Sequence, residues 1–338
     1  MQFENVSIKS LAYVDAPHVI SSASIEDKLA PMLQRLGIRP HIVEELTGIK
    51  TRRFFGENDL PSDVAAQAGE KALEQAGIPK EKIGLLVSTS VCKDYIEPSV
   101  AAIAHGKMGL SPDCLNFDIG NACLGFLDGM TVAANLIESG QIDYALVVDG
   151  ENSREVVTHT LDRLSQPDVT AEIFQENFAT LTLGSGAAAM VLARRELAPE
   201  APRYTEIHYM AATEHNQLCR GQREGMTTDA KGLLIAGLQT AMIMTNKVMN
   251  ELNWKERKVD EIVIHQVSAR NTQLLAEALN LDEEKMLLTF PEFGNVGPAA
   301  IPICLAKSAE QGRISKGDRV VVMGMGSGIN CCYMEILW

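Results

Sequence analysis

Three residues stand in sequence contexts from which a nucleophilic site could be built. Cys123 follows a predicted strand and begins a predicted helix in the segment Asp118–Phe126. The free N–H groups and partial positive charge of a helix N-terminus favour the thiolate, which is the nucleophilic form of cysteine. A small buried core cysteine explains the same context, so both interpretations stay open for Cys123 on its own.

His265 and Asn295 are the other two candidates. His265 ends the apolar strand predicted at 261–266, and the carboxyl ends of parallel strands are where open α/β sheets bind ligands. Asn295 lies in a Gly-Asn-Val-Gly-Pro turn. Taken singly, a hydrogen-bonded core histidine and an ordinary turn asparagine are the simpler interpretations. An internal repeat changes this, because it places the Asn295 turn opposite the Cys123 turn about a pseudo-twofold axis.

The repeat consists of two copies of one pattern of alternating helices and strands. The first copy predicts helices at 62–76, 99–108 and 123–138 and strands at 83–88, 114–119 and 144–148. The second copy predicts helices at 233–252, 271–279 and 299–311 and strands at 261–266, 286–289 and 319–323. This alternation indicates an α/β fold of crossover units with mostly parallel strands. We expect two similar sheets packed on shared apolar helices, which begin at Cys123 and Ala299.

The pattern also predicts how the chain is divided. Residues 1–195 form an N-terminal half that carries the cysteine, and residues 196–338 form a C-terminal half that carries the histidine and asparagine. Residues 156–179 match neither copy and are predicted to be an insertion that covers a pocket or a subunit interface. The helix at 233–252 either packs in the core or lines a site for a long acyl chain, for which its methionines are suited.

A glycine-rich segment, Gly324–Gly328, precedes the C-terminal strand. A dinucleotide-binding loop would be followed by a helix, whereas an apolar strand-like stretch follows here. A tight turn that brings backbone N–H groups near a reacting carbonyl fits this segment at least as well.

Composition excludes several classes of protein. The 338 residues carry 30 Lys and Arg against 44 Asp and Glu, and a net charge of −14 argues against nucleic-acid binding and against a polybasic membrane surface. The seven cysteines show no Cys-x-x-Cys motif and no metal-ligand spacing, so we expect neither a disulfide framework nor a metal site, and we expect a cytoplasmic location. No signal peptide and no apolar run of about 18 residues is found, so no membrane span is predicted.

Together these motifs resemble the thiolase superfamily. The segments around Cys123, His265 and Asn295 match the Cys-His-Asn combination of its β-ketoacyl-ACP synthase III-like branch, and Thr47–Arg53 resembles the N-terminal motif of that branch. The resemblance covers essentially the whole chain. It implies an acyltransferase with a five-layered αβαβα thiolase fold, built from two similar halves and assembled as a homodimer.

Within this branch the chain most resembles the acyl-CoA condensing enzymes of bacterial long-chain olefin biosynthesis, the OleA type. Five segments carry this resemblance: Tyr95–Ser99, Asn121–Leu124, Ala145–Glu151, Leu218–Gly221 and Val263–Ser268. The resemblance implies that Glu97 enters the site of the partner subunit and acts as the base. Without the resemblance, Glu97 is one surface acid among many, leading into a helix.

Three departures distinguish the chain from the priming synthases of the same branch. Those enzymes usually have His-Gln-Ala-Asn where this chain has His265–Ser268, and they have Trp and Arg at the positions of Ile42 and Leu46. Their Gly-Gly-Gly turn is replaced here by Gly326–Gly328. These differences argue against malonyl-ACP chemistry and against the usual adenine clamp.

The resemblance implies a non-decarboxylative Claisen condensation of two fatty acyl-CoA molecules to a 2-alkyl-3-oxoacyl product. Cys123 would carry the first acyl group, with the backbone N–H groups of Cys123 and Ser327 around its oxyanion, and His265 and Asn295 would stabilise the enolate of the second. No metal or redox cofactor is expected, and enzymes that act later in the pathway are candidate partners. Two alternatives remain: a decarboxylating 3-oxoacyl-ACP synthase III, in which Glu97 is idle, and a non-catalytic acyl-binding protein, which the intact Cys-His-Asn set disfavours.

Overall fold

The computed structural model of the chain describes residues 1–251 and 258–338. The strands of the first half are β1 Val6–Asp15, β2 His18–Ser21, β3 Thr51–Phe54, β4 Ile83–Ser88, β5 Leu115–Asp118, β6 Tyr144–Glu151 and β7 Gly186–Arg194. Its helices are α1 Ser22–Arg35, α2 Ile42–Thr47, α3 Pro61–Ala76, α4 Val100–Met108, α5 Gly125–Glu138, α6 Arg154–Leu164 and α7 Ala171–Asn177.

The second half contains six strands and four helices among its described residues. The strands are β8 Arg203–Ala211, β9 Cys219–Gln222, β10 Gly225–Thr228, β11 Glu261–Ile264, β12 Arg319–Gly326 and β13 Asn330–Leu337. The helices are α8 Ala230–Glu251, α9 Ala269–Leu279, α10 Phe290–Phe293 and α11 Ala300–Glu310. None of the described helices is both long enough and apolar enough to cross a membrane.

Nine of the described strands form one sheet in the order β11-β12-β13-β8-β1-β7-β6-β4-β5. Strands β5, β4 and β6 are parallel to one another, as are β11 and β12, which fits the predicted crossover units. Strands β1 and β8 join the two parts of the sheet through one register pair, Ser7 with Arg203. The two expected sheets therefore continue into each other at this pair, five strands on one side and four on the other.

The helices form three layers around these strands. Helices α5 and α11 share one apolar core with both parts of the sheet, as shown by Leu127 and Ile301 packing in the same cluster as Val147, Val263 and Val322. Helices α3 and α4 pack on the outer face of the first part, and α8 and α9 pack on the outer face of the second. The resulting five layers have the αβαβα order that the resemblance implies.

One predicted strand is wrong, and another is shorter than predicted. The segment 286–289 is irregular because Gln266 binds its backbone: Nε2 donates to the Leu287 carbonyl at 2.7 Å, and Oε1 accepts from the Thr289 N–H at 2.8 Å. These backbone groups are therefore not left for a neighbouring strand. The strand predicted at 261–266 ends at Ile264, so His265 follows it. The helix predicted at 233–252 begins earlier, at Ala230, and its predicted last residue lies outside the described residues.

The predicted insertion, residues 156–179, falls mostly on α6 and α7. Helix α6 packs against α1 and α7 packs against α6, and Leu161 and Phe174 share an apolar cluster with Ile25 and Leu29. The cover function of this region stays a prediction, and so does the boundary between the halves at residue 195. Helix α8 buries Met244 in the core but leaves Ile243 60% exposed, so core packing accounts for only one of its faces.

Candidate active site

Cys123 lies at the tip of a tight turn between β5 and α5. The turn is closed by two backbone bonds of 3.0 Å each, from Leu124 N–H to the Asn121 carbonyl and from Gly125 N–H to the Ala122 carbonyl. Ala122 has a φ of 46°, in the left-handed region that side chains other than glycine seldom adopt. Helix α5 begins at Gly125, so Cys123 precedes the helix by two residues and does not open it.

The Cys123 thiol is half-buried and resists ionisation. Burial, followed by the charges of Glu151, Cys219 and Asp149, raises the pKa of Cys123 to about 12, although a hydrogen bond from its own backbone N–H lowers it. The prediction that the helix N-terminus favours a thiolate is therefore wrong for the resting site. The physical reason is first the burial of the sulfur and then the charges near it, Glu151 and Asp149 among them, and Cys123 lies outside the helix itself.

The turn between β12 and β13 packs directly against the Cys123 turn. A Cβ on Gly326 would lie 2.9 Å from the Asn121 carbonyl oxygen and 3.3 Å from the Leu124 nitrogen, so a glycine is required for this approach. Asn330 Nδ2 also donates to Asn121 Oδ1 at 3.1 Å. Ser327 is half-buried and follows Gly326, so its backbone lies one residue away from the contact.

His265 stands at the carboxyl end of β11, as a ligand-binding residue of a parallel sheet should. Its backbone N–H donates to the Met323 carbonyl at 2.9 Å, which fixes it beside β12. Both ring nitrogens are shielded from solvent, and neither has a hydrogen-bond partner among the described residues. Burial lowers the pKa of His265 to about 4, so the ring is neutral at pH 7 and offers one donor and one acceptor.

Asn295 is held by its backbone and oriented by its side chain. Its N–H donates to the Thr182 carbonyl at 2.8 Å, and its own carbonyl accepts from Gly184 N–H at 2.9 Å. Its side-chain Oδ1 accepts from Gly297 N–H at 3.0 Å. Because the oxygen is occupied in this way, the amide presents its NH₂ group, a donor, to a ligand.

The segments that carry Cys123, His265 and Asn295 are connected through neighbouring residues. Gln266, next to His265, binds the backbone just before α10, and α10 leads into Asn295. Gly297, two residues after Asn295, lies close to Glu151, since a Cβ on Gly297 would be 3.7 Å from Glu151 Cδ. Glu151 in turn acts electrostatically on Cys123, whose turn packs on the end of β12 beside His265. Contacts therefore connect the segments that carry Cys123, His265 and Asn295 to one another.

Glu97 is exposed and lies on the loop of residues 91–99 between β4 and α4, in which Asp94 is buried and accepts the Ser62 N–H at 2.9 Å. The neighbouring Ile96 is fully exposed. Asp118 joins the loop to the start of α4, because its carboxylate pairs with Lys93 at 2.5 Å and accepts the Ala101 N–H at 2.8 Å. Among the hydrogen bonds and ion pairs of the described residues, none joins Glu97 to the other three site residues within one chain.

Glu151, Asp149 and Cys219 were given no chemical role by the sequence, and all three adjoin the site. Burial raises the pKa of Glu151 to about 7, although hydrogen bonds from Cys92 and Val91 lower it, and burial followed by the Glu151 charge raises the pKa of Asp149. The sequence did contain a signal for the two carboxylates: Asp149 and Glu151 stand at the end of the apolar strand β6, and acidic residues are seldom buried unless they are paired.

The five-layered fold and its Cys-His-Asn site define a thiolase-fold acyltransferase of the synthase III type. Family models agree: 3-oxoacyl-[acyl-carrier-protein (ACP)] synthase III matches residues 117–210, and the C-terminal model of the same family matches residues 249–338. The chain belongs to the OleA family of acyl-CoA:acyl-CoA alkyltransferases, as the relatives and solved structures that follow show.

Two relatives named acyl-CoA:acyl-CoA alkyltransferase cover the whole chain and are themselves wholly covered. The protein of Xanthomonas campestris is 48% identical, and that of Shewanella oneidensis is 37% identical. A β-ketoacyl-[acyl-carrier-protein] synthase III of Rhizorhabdus wittichii is 29% identical over 85% of this chain and 86% of its own. The crystal structure of cerulenin-bound Xanthomonas OleA is similar to the whole chain, with a TM-score of 0.98, 48% identity and 98% of its own length covered. The predicted thiolase fold is thereby confirmed.

Proposed function

We propose that the chain condenses two fatty acyl-CoA molecules by a non-decarboxylative Claisen reaction, giving a 2-alkyl-3-oxoacyl product. The observation that carries this proposal is the neutral, shielded His265 ring, for whose nitrogens the described part of the chain offers no hydrogen-bond partner, beside the turn of a half-buried cysteine. Such a ring is a donor reserved for a carbonyl or enolate oxygen of a ligand. The full-length similarity to acyl-CoA:acyl-CoA alkyltransferases supports acyl-CoA as the substrate.

The first step transfers an acyl group to Cys123. The sulfur attacks the thioester carbonyl, the bond from that carbonyl to the CoA sulfur breaks, and the proton of the Cys123 thiol leaves on the CoA thiol. The backbone N–H groups of Cys123 and Ser327 stabilise the oxyanion that forms in between. Because the proton ends on the leaving group, this step requires no net release of a proton from the site.

The second step forms the carbon–carbon bond. The carbonyl oxygen of a second acyl-CoA binds between His265 and the Asn295 amide, and removing one such donor typically lowers a rate by about 10²–10³-fold. Glu97 of the partner subunit takes a proton from the α-carbon. The carbanion attacks the acyl carbonyl on Cys123, whose sulfur leaves and regains the proton that Glu97 removed. The reaction requires no metal and no redox cofactor.

Solved structures of Xanthomonas OleA support these assignments. They include variants in which one cysteine, one glutamate and one histidine are replaced, and these three residues have the same separations along the chain as Cys123, Glu97 and His265 have here. A further structure, of a cysteine-to-serine variant, contains bound lauric acid and lauroyl-CoA. We therefore carry the nucleophile, the base and the enolate-binding histidine over to this chain.

The proposal includes a homodimer in which Glu97 acts across the interface, and the exposure of Glu97 supports this. The loop that carries Glu97 exposes large apolar side chains: Ile96 fully, Tyr95 to 52% and Val91 to 53%. Strand β5 beside this loop is the edge of the sheet and exposes Leu115 to 54%. Exposed apolar groups along an unpaired strand edge are typical of a subunit interface. We also propose a cytoplasmic location and pathway enzymes as further partners.

One experiment separates this function from a decarboxylating synthase. The purified protein is incubated with lauroyl-CoA alone, without a malonyl donor, and coupled ketone or β-keto acid is measured by mass spectrometry. We expect coupled product from the wild type, and Glu97→Gln should form acyl-Cys123 while condensation falls about 10²-fold or more. Glu81→Gln, an exposed glutamate elsewhere, is the matched control and should behave as wild type. An absolute requirement for malonyl-ACP would overturn the proposal.

A further inference from the structure

Side chains continue the pairing of β4 and β6 beyond the point where the backbone pairing stops. The backbone register ends at Ser88. Thr89 Oγ1 then donates to Asp149 Oδ2 at 2.6 Å, and Ser90 Oγ accepts from Gly150 N–H at 2.8 Å. The chain that leaves β4 toward Glu97 is therefore bonded, residue by residue, to the end of β6.

Glu151 forms the last contact in this series. Its Oε1 accepts from Val91 N–H at 2.5 Å, and its Oε2 accepts from Cys92 N–H at 3.2 Å. The residue is only 4% exposed, and the same carboxylate lies 3.7 Å from the position that a Cβ on Gly297 would take. One buried carboxylate thus contacts both the loop that carries Glu97 and the turn that carries the enolate-binding amide.

We propose that Glu151 is a positioning residue that holds the loop 91–99, and with it Glu97, in the geometry needed for α-proton abstraction. This inference rests on the proposed condensation and names a further residue for it. Its two oxygens accept the first two N–H groups of the loop, so the loop leaves the sheet in one fixed direction. Glu97 follows Cys92 by a short stretch of chain, and a base displaced by about 1 Å can lose on the order of 10²-fold in rate.

The test replaces the carboxylate by an amide of the same shape. Glu151→Gln keeps one acceptor oxygen but presents an NH₂ group to the other backbone N–H, so the loop loses a bond without creating a cavity. We expect acyl-Cys123 to form no more slowly than in the wild type, because loss of the Glu151 charge removes one cause of the raised pKa of Cys123, while kcat for condensation of lauroyl-CoA falls about 10-fold and KM stays unchanged. In Glu97→Gln, the added Glu151→Gln change should cost nothing further, because no base remains to be misplaced.

Glu26→Gln is the matched control. Glu26 is also a buried carboxylate that accepts two backbone N–H groups, those of His41 and Val43 at 2.5 and 2.6 Å, on the α1–α2 connection. A comparable loss of thermal stability is expected, with acylation and condensation unchanged relative to each other. If Glu151→Gln does not fold, Glu151→Asp, which keeps the charge but shortens the reach, carries the same expectations.

Two outcomes would overturn the inference: an equal loss of acylation and condensation in the Glu151 variant, or losses that multiply when it is combined with Glu97→Gln. Failure of the proposed function has a different signature. The wild type would then give no coupled product from lauroyl-CoA alone, whatever residue occupies position 151.

Discussion

At the residue scale, both groups at the centre of the site are neutral in the resting protein. Burial and neighbouring carboxylates raise the pKa of Cys123, and burial lowers the pKa of His265. The site therefore does not rest as a thiolate–imidazolium pair. In the proposed reaction, a neutral His265 donates to the developing enolate, and the Cys123 proton leaves together with the CoA sulfur during acylation.

The raised pKa of Cys123 predicts how the protein reacts with iodoacetamide. Because alkylation needs the thiolate, and because the pKa of Cys123 is about 12, its labelling rate should rise about tenfold for each pH unit between pH 7 and pH 9. Peptide-resolved mass spectrometry measures this rate. Prior incubation with lauroyl-CoA should protect Cys123 by acylating it. A rate that is flat over this range, or labelling that lauroyl-CoA leaves unchanged, would contradict the assignment.

The lowered pKa of His265 predicts a pH-dependent part of the stability. Between about pH 6.5 and pH 4 the unfolded state binds a proton at this histidine and the native state does not, so stability falls as the pH falls through this window. From pH 7.5 to pH 5 the loss should be about 2 kcal/mol. Urea unfolding gives the free energy of unfolding of the wild type and of His265→Asn at both pH values. The part of the loss that is due to His265 is the loss in the wild type minus the loss in His265→Asn. His159→Asn, at an exposed site, should retain the wild-type loss, and an equal loss in His265→Asn would refute the prediction.

At the element scale, the sequence predicts well where an apolar run and its flanking turns decide the structure. The strand predicted at 83–88 and the helix predicted at 62–76 are found almost at their predicted bounds, because local turn signals flank both. The missing strand at 286–289 depends on a Gln266 side chain that is distant in sequence. The placement of Glu151 against the loop after β4 likewise depends on tertiary contacts, which no local pattern reveals.

The turn before α5 is the element in which backbone strain can be tested. Ala122 has a φ of 46°, and a β-branched residue in this region is strained, so Ala122→Val should lower the free energy of unfolding by about 2 kcal/mol. Ala122→Gly should stay within about 1 kcal/mol of the wild type, because relief of strain offsets the added freedom of the unfolded chain. Urea unfolding measures both, and the rate of acyl-Cys123 formation should fall only in the valine variant.

The control for this turn is Ala102→Val on the exposed face of α4, where only helix propensity changes and the loss should stay near about 0.5 kcal/mol. An Ala122→Val protein as stable as this control would mean that the left-handed backbone at residue 122 is not strained. Normal acylation in such a protein would also separate the turn geometry from the nucleophile.

At the scale of the whole molecule, the two halves contribute different parts of one site. The helices α5 and α11 lie in a common core between the two parts of the sheet, so the Cys123 turn of one half and the Asn295 turn of the other are fixed relative to each other. The proposed base is on neither turn. It lies on an exposed loop beside the edge strand β5, so in the proposed dimer each chain supplies three parts of its own site and presents the fourth outward.

This arrangement predicts complementation between two inactive chains. In a mixed dimer of Glu97→Gln with Cys123→Ala, one site combines the intact Cys123 of the first chain with the intact Glu97 of the second, and the other site has neither. If the base comes from the partner, this dimer should regain about half of the wild-type turnover, although both homodimers are inactive. Two different affinity tags and tandem purification isolate the mixed dimer, and coupled product from lauroyl-CoA measures its activity. The reversing control is a dimer of one wild-type chain and one chain that carries both substitutions. If the base acts across the interface, this dimer has no complete site. If the base acts within its own chain, it has one complete site. Activity in this control together with a silent mixed dimer would place Glu97 in its own subunit's site and would refute the shared-site proposal.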